Sequence, residues 1–190
     1  MRYIRNEKFQ DVILIQPQVY HDDRGHFFES FQVNRYQEIG IPHTFVQDNY
    51  SNSIKNTIRG LHYQLQHPQG KLVGVTSGIV FDVIVDIRRH SHTFGEWISI
   101  ELDAKNFTQI YIPPGFAHGF CVMSDTASFY YKCTDYYRAG DDFGVAWNDK
   151  QLNIPWPLSD SPILSDKDKK YFSLAQIPMT SLPAYHHESL

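Results

Sequence analysis

The sequence predicts an all-β fold, either an antiparallel sandwich or a barrel. Three observations support this class. Short segments between about residues 11 and 147 alternate apolar and polar side chains with period two, which is the pattern of half-buried strands. Turn signals separate these segments roughly every 8–12 residues, a spacing typical of sandwiches and barrels. Long segments with helical periodicity are absent, and so are tandem repeats.

The first elements are short. The apolar run in residues 11–20 is interrupted by Pro17, which predicts an edge strand. Alternation over residues 27–33 predicts another strand, on which Glu29 shares a face with two phenylalanines and must meet water, a cation or a polar ligand. Residues 34–39 predict a short helix, with the first of them as N-cap and the glycine that follows as terminator.

The central part of the chain contains most of the predicted strands. Residues 79–88 place five apolar side chains on one face and Asp82 and Asp86 on the other. Residues 111–120 contain two prolines and two glycines, which predict a rigid corner that presents His118. The remaining strands are predicted over residues 44–51, 57–64, 71–77, 96–103 and 126–134.

The last part of the chain differs in composition. It is rich in proline and polar residues, and residues 165–171 predict a short helix or a tail packed on the sheet. We expect His186 and His187 to belong to a frayed end. The 190 residues suit a single domain, with a β core over about residues 9–150 and a C-terminal segment over about 151–190 packing on it.

Composition excludes several classes of function. The net charge is −4 and no long basic run occurs, which argues against nucleic acid or an anionic membrane as the main partner. The N-terminus lacks the apolar stretch of a signal peptide, and no apolar run is long enough to span a bilayer. Cys121 and Cys133 form no CxxC pattern and read as reduced thiols, which predicts a cytoplasmic protein.

Residues 57–64 carry the most suggestive chemistry, a permanent cation at Arg59 and a base that titrates near neutrality at His62. Strict alternation puts the two side chains on opposite faces of the strand. A bulge at Gly60 would let both serve one pocket. The alternative is a surface arginine and a hydrogen-bonded histidine on an ordinary strand.

These residue types suit proton transfer next to a carbonyl group. That reaction needs a base at the C–H bond, a group that stabilises the enolate oxygen and an acid that returns a proton. His62 is the candidate base, with an aspartate as its orienting partner, and Lys71 is the candidate for the enolate oxygen. Tyr131 lies on an otherwise apolar face and is the candidate acid, although an aromatic core residue would fit the same pattern.

Other chemistries find less support. Motifs for dinucleotide binding, ATP loops, zinc proteases and serine hydrolases are absent. A metal site is the main competitor, because His90 and His92 have chelating spacing and His118 could add a ligand. However, the strand of His62 has Gln64 where a second histidine would be needed, and His90 and His92 fit an exposed loop. We therefore expect neither a metal nor a cofactor.

Eight motifs, taken in order, resemble one known family. They lie at residues 23–29 (DRGHFFE), 47–49 (QDN), 59–62 (RGLH), 69–71 (QGK), 112–119 (IPPGFAHG), 131–137 (YKCTDYY), 147–149 (WND) and 164–168 (LSDKD). Together they are similar to the dTDP-4-dehydrorhamnose 3,5-epimerases, from about residue 9 to residue 172.

The resemblance implies a cupin-type jelly roll with short helices at the C-terminal end, no metal, and a homodimer that exchanges N-terminal strands. It implies epimerisation of dTDP-4-dehydro-6-deoxy-D-glucose at C3 and C5 in dTDP-L-rhamnose synthesis. The alternatives are a mono-epimerase of a related nucleotide 4-keto-sugar, a metal-dependent cupin such as an oxygenase, and a sugar-binding jelly roll without catalysis.

The resemblance also implies roles for individual residues. His62 resembles the proton acceptor, Asp168 the carboxylate that orients it, Tyr131 the proton donor, and Lys71 the group that polarises the C4 carbonyl. Arg24 and Glu29 match contacts taken from the neighbouring subunit. Further substrate contacts match Gln47, Asp48, Asn49, Arg59, His118 and Lys167, of which Arg59 and Lys167 suit the diphosphate.

The nucleobase end of the implied site contains one departure from the family pattern. Tyr137 matches a tyrosine that stacks on thymine. Asp142 stands where the family usually has a glutamate, so its carboxylate is one methylene closer to the backbone.

Overall fold

The computed structural model describes residues 1–41 and 44–185. Short antiparallel strands dominate it, as predicted, and one short helix, α1 (Val33–Glu38), follows the fourth strand. The strands are β1 (Arg2–Arg5), β2 (Ile13–Gln16), β3 (Val19–Asp22), β4 (Gly25–Phe28), β5 (Gln47–Ile54), β6 (Ile58–Gln64), β7 (Lys71–Ser77), β8 (Ile79–Asp86), β9 (Trp97–Asp103), β10 (Gln109–Ile112), β11 (Phe116–Val122), β12 (Thr126–Cys133) and β13 (Asp142–Gly144).

The strands form two main sheets and a separate hairpin. The larger sheet has the order β1-β2-β10-β7-β12-β5, and the smaller has the order β13-β6-β11-β8-β9. The hairpin pairs β3 with β4. This arrangement confirms the prediction of an all-β, cupin-type jelly roll.

The main core lies between the two sheets. Val73, Ile110 and Phe129 from the larger sheet pack with Ile84 and Phe120 from the smaller one. The rings of Phe120 and Phe129 stack across the gap, with centroids 4.2 Å apart. The sheets therefore face each other through apolar side chains, as in other sandwiches.

The outer faces of both sheets are covered in part. The C-terminal segment places Leu152, Leu174 and Leu182 against the outer face of the smaller sheet, beside Val83 and Val85. This contact explains why β8 is buried on both faces although its sequence alternates. Helix α1 covers the outer face of the larger sheet through a third cluster, formed by Ile13, Ile15, Tyr36, Ile39, Ile41, Leu72 and Tyr111.

Three sequence-based expectations about the N-terminal region are wrong. Strand β2 is not an edge strand, because β1 pairs with its outer side. The strand predicted over residues 27–33 ends at Phe28, because the chain leaves the hairpin to begin α1. The N-cap of that helix is Gln32 rather than Asn34, and the Gln32 side chain accepts a hydrogen bond of 2.7 Å from the Arg35 backbone N–H.

Further along the chain, one prediction is corrected and one is confirmed. The turn near residue 114 ends at Gly115, so His118 lies inside β11 rather than on the corner. The predicted C-terminal helix is a 3₁₀ turn, Asp168–Lys170, and two more such turns follow at Leu174–Gln176 and Met179–Ser181. Parallel bridges, such as Val145 with Phe172, attach this segment to the smaller sheet.

The expected frayed end at His186 and His187 lies outside the described residues. Within the described ranges, no helix is long and apolar enough to cross a membrane.

Candidate active site

A cavity of about 420 Å³ opens between the two sheets. Strands from both sheets line it, and the C-terminal segment contributes a lysine. Ten side chains singled out from the sequence line this cavity: Gln47, Asn49, Arg59, His62, Lys71, His118, Tyr131, Tyr137, Asp142 and Lys167. Folding therefore brings together residues that span 120 positions in the chain, from Gln47 to Lys167.

A bulge in β6 brings Arg59 and His62 to the same cavity. The register of β6 against β11 shifts by one residue between the two, and Gly60 has a φ of 125°. A Cβ at Gly60 would lie 2.6 Å from the Cα of Gly119, so only glycine allows this close approach. The structure thus confirms the bulge and not the strict alternation.

The His62 side chain forms a hydrogen bond of 2.7 Å through Nε2 to Oδ1 of Asp168. Burial lowers the pKa of His62, and the contact with Asp168 opposes that effect only in part. Burial alone would raise the pKa of Asp168, but hydrogen bonds from His62 and Ser165 outweigh it and lower that pKa. The pair is therefore a neutral imidazole that donates from Nε2–H to an ionised carboxylate, with the Nδ1 lone pair free to accept a proton.

Tyr131 lies on the opposite wall of the cavity from His62. It belongs to β12 of the larger sheet, whereas His62 belongs to β6 of the smaller one. Burial raises the pKa of Tyr131 to about 12, and the opposing influence of Arg59 is smaller. The phenol is therefore neutral and can donate its proton near neutral pH.

Lys71 begins β7 and also lines the cavity. Burial lowers its pKa, while Cys133, Asp142 and Asp82 act in the opposite direction. A desolvated ammonium interacts strongly with a developing negative charge, because the surrounding protein screens it weakly.

A cluster of three side chains forms the rim of the cavity. Asp142 accepts a hydrogen bond of 2.8 Å from the Tyr137 hydroxyl through Oδ2, and the same oxygen pairs with the Lys167 ammonium. The Tyr137 backbone N–H donates to Oε1 of Gln47 at 2.8 Å. Asp142 is one methylene shorter than the glutamate usual in the family pattern. Its carboxylate nevertheless contacts both Tyr137 and Lys167 at the rim.

Three residues predicted as substrate contacts lie outside the cavity of their own chain. Arg24 pairs with Asp22 on the β3–β4 hairpin at 2.6 Å. Glu29 pairs with Arg35 of α1 at 3.0 Å, so it meets a cation as its sequence context requires.

The third of these residues is Asp48. It points to the other face of β5 from its two neighbours in the chain, and it binds the Lys132 ammonium at 2.8 Å. Alternation therefore separates it from Gln47 and Asn49, with which the motif had grouped it.

A second histidine–aspartate pair was not predicted. Nε2 of His118 and Oδ2 of Asp82 form a hydrogen bond of 2.8 Å, and both side chains are buried. Asp82 shares the inward face of β8 with Val80 and Ile84. A carboxylate in the middle of such a face is the signal that could have found it, because a buried charge needs a partner.

The two histidines with chelating spacing lie elsewhere. His90 and His92 are exposed in the loop that precedes β9, as the sequence predicts. Among residues 1–41 and 44–185, no group of three or more histidine, cysteine or acidic side chains has a metal-binding arrangement.

The fold and the cavity define a jelly-roll protein in which a histidine–aspartate pair and a neutral tyrosine lie on opposite walls of one cavity. The sequence profile of the dTDP-4-dehydrorhamnose 3,5-epimerases matches residues 6–176, which is most of the chain. The chain therefore belongs to this family and is an isomerase of the epimerase type.

Individual relatives agree with this assignment. A dTDP-4-dehydrorhamnose 3,5-epimerase of Pseudomonas aeruginosa is 52% identical over 161 residues, covering 84% of this chain and 89% of the relative. The crystal structure of a 3,5-epimerase of Legionella pneumophila in complex with dTDP-4-keto-L-rhamnose has a TM-score of 0.94 and 49% identity, covering 97% of this chain and 98% of that one. A dTDP-4-dehydrorhamnose 3-epimerase of Streptomyces niveus is 37% identical over 164 residues, covering 85% of this chain and 79% of the relative.

Proposed function

We propose that this protein inverts C3 and C5 of dTDP-4-dehydro-6-deoxy-D-glucose, the epimerisation in dTDP-L-rhamnose synthesis. The observation that carries the proposal is the placement of the His62–Asp168 pair and Tyr131 on opposite walls of one cavity. A base on one side of a sugar ring and an acid on the other side are what inversion of a carbon centre requires.

The reaction follows from the ketone at C4 of the substrate. That ketone acidifies the protons on both neighbouring carbons, C3 and C5. Nδ1 of His62 takes one of these protons, and the electron pair of the C–H bond moves toward the C4 oxygen. The Lys71 ammonium stabilises the resulting enolate. The Tyr131 hydroxyl then delivers a proton to the opposite face of the same carbon, which inverts it. Each inversion leaves His62 protonated and Tyr131 deprotonated, and proton exchange with solvent restores both groups. Only protons are transferred, so the chemistry needs no cofactor.

The nucleotide part of the substrate would bind near the rim. Arg59 and Lys167 are fixed cations that suit the diphosphate oxygens. The exposed ring of Tyr137 suits stacking on thymine. Gln47, Asn49 and His118 supply polar groups along the cavity wall.

A homodimer would complete the site. Arg24 and Glu29 do not line the cavity of their own chain. The hairpin that carries Arg24 is separate from both sheets, and it exposes Tyr20 and Phe27, the latter by 69%. Large apolar side chains that are this exposed are typical of surfaces that pack against a partner, here a second copy of the chain. We also propose a cytoplasmic location, because Cys121 and Cys133 are free, buried thiols.

The configuration of the product tests the proposal. Purified protein is incubated with dTDP-4-dehydro-6-deoxy-D-glucose, and proton NMR coupling constants report C3 and C5. Inversion at both carbons supports the 3,5-epimerase. Inversion at C3 alone would favour the mono-epimerase, the activity named for the Streptomyces niveus relative. Recovery of unchanged substrate would contradict both candidates.

A further inference from the structure

Tyr171 contacts the candidate base from a position that the proposed reaction does not use. It follows the 3₁₀ turn Asp168–Lys170 directly. Its ring meets the His62 ring edge to face, with centroids 5.8 Å apart and an angle of 72° between the planes. The turn and the residue after it therefore supply both the carboxylate that accepts the His62 hydrogen bond and an aromatic contact with the same imidazole.

The space for this ring exists because the residue opposite His62 is a glycine. Gly144 of β13 pairs with His62 of β6 in the sheet register. A Cβ built at Gly144 would overlap Cε2 and Cζ of the Tyr171 ring, so any side chain there would displace the tyrosine. Tyr171 thus covers the strand position next to the imidazole.

The backbone around Tyr171 is held by the smaller sheet. The Phe172 carbonyl accepts a hydrogen bond of 2.8 Å from the Ala146 N–H, and Val145 forms a bridge with Phe172. These contacts attach the C-terminal segment at the residue that follows the tyrosine. The ring is therefore placed by the backbone on one side and by the Asp168 turn on the other.

The hydroxyl group of Tyr171 does not explain the arrangement. Its oxygen is buried and has no hydrogen-bond partner among the described residues. Burial, together with nearby Asp142 and Asp168, raises the pKa of this hydroxyl, which keeps it neutral. The observed contact of Tyr171 with His62 is therefore made by the ring and not by the hydroxyl.

We propose that Tyr171 is a positioning residue that holds the His62 imidazole against Asp168 and excludes water from one side of the ring. This inference rests on the proposed role of His62 as the base. The edge-to-face contact restricts rotation of the imidazole, which keeps the unprotonated Nδ1 directed at the substrate.

The pKa of His62 should depend on the Tyr171 ring. The charged groups that influence the imidazole are Asp168 and Lys167 from the C-terminal segment and Lys71 from β7. The other ionisable groups that line the same cavity include Arg59, His118, Tyr131, Tyr137 and Asp142. Burial is the largest influence on the His62 pKa and lowers it. Removing the Tyr171 ring would admit water, so the pKa of His62 should rise toward its ordinary value.

The test uses NMR titration of the His62 imidazole in the full-length protein without substrate. Four proteins are compared: wild type, Tyr171→Ala, Tyr171→Phe and the control Phe172→Ala, whose side chain is 65% exposed. We expect Tyr171→Ala to raise the His62 pKa by about 0.5 or more, while the other two variants match the wild type. We also expect Tyr171→Ala to lower kcat by about tenfold with KM changed less than about twofold.

Two results would overturn the proposal. The first is an unchanged or lowered His62 pKa in Tyr171→Ala, and the second is an equal effect of Tyr171→Phe. If Tyr171→Ala does not fold, Gly144→Ala replaces it, because the added methyl group displaces the same ring, and the same two criteria apply. The titration does not depend on turnover, so it tests Tyr171 even if the wild-type protein fails to epimerise the sugar.

Discussion

Nε2 of His62 lies 2.7 Å from Oδ1 of Asp168, although 106 positions separate the two residues in the chain. The histidine comes from a central strand and the carboxylate from a 3₁₀ turn of the C-terminal segment. Packing of that segment on the smaller sheet therefore assembles the pair. The contact leaves Nδ1 as the only ring nitrogen available to accept a proton.

The Asp168 carboxylate should be required for the tautomer of His62. Asp168→Asn keeps the shape of the side chain but replaces the charged acceptor of the Nε2–H hydrogen bond with a neutral amide. We expect kcat to fall by about 10²–10⁴-fold with a much smaller change in KM. Steady-state kinetics check this. Asp166→Asn is the control, because Asp166 is exposed and pairs only with Lys169 among the described residues. Equal losses in the two variants would argue against a specific role for Asp168.

Removal of the proposed acid should separate exchange from inversion. In Tyr131→Phe the base is intact, so His62 can still remove a proton and return one to the same face. We expect deuterium from solvent to enter the substrate while inversion slows by about 10²-fold or more. Tyr130→Phe is the matched control, because this tyrosine points to the outer face of the larger sheet. Its hydroxyl accepts a hydrogen bond from the Gln109 side chain. Inversion at the wild-type rate in Tyr131→Phe would exclude the phenol as donor.

The bulge in β6 should depend on glycine at position 60. Gly60→Ala adds a methyl group against Gly119 at a positive φ, so we expect the free energy of unfolding to fall by about 2–3 kcal/mol. Gly140→Ala is the control, because a Cβ there meets nothing within 4 Å. Urea denaturation of both variants measures the free energy of unfolding. Equal values for the two variants would show that the close approach to Gly119 does not require glycine at position 60.

Alternation along β5 predicts different outcomes for two adjacent residues. Asn49 lines the cavity, so Asn49→Ala should raise KM by about fivefold or more, the loss expected for one polar contact. Asp48 pairs with Lys132 on the other face, so Asp48→Ala should change KM by less than about twofold. A larger effect at Asp48 would favour its grouping with the substrate contacts.

The pH dependence should reflect the partial burial of His62. The base must be neutral to act, and burial lowers its pKa below the ordinary value of 6.5. We therefore expect kcat/KM to be level near pH 7 and to fall only as the pH drops below about 6.5. The Tyr131 phenol, with a pKa raised to about 12, stays protonated throughout this range. A fall in kcat/KM that begins above pH 7 on acidification would contradict the assignment of His62 as the base.

Much of the fold follows from local sequence, since period-two alternation predicts β7, β8 and β12 directly. The strand predicted after Phe28 is wrong because Phe31 has local partners, Tyr36 of the helix and Phe45, with ring centroids 4.9 and 5.2 Å away. Alternation alone cannot distinguish such contacts from a sheet face.

The candidate site was less predictable from the sequence than the fold. The residue types for proton transfer are visible in the sequence, but the pairing of His62 with Asp168 was available only through the family resemblance. The contact between Tyr171 and His62 depends on Gly144 lying opposite the histidine. That pairing is a matter of strand register and has no local signal.

Deuterium incorporation in D₂O, followed by NMR of the sugar protons, shows whether His62 removes the protons when wild type and His62→Ala are compared side by side. We expect the C3 and C5 proton signals to disappear with the wild type and to remain, apart from background exchange, with the variant. Exchange at the wild-type rate in His62→Ala would contradict the claim that His62 removes the protons.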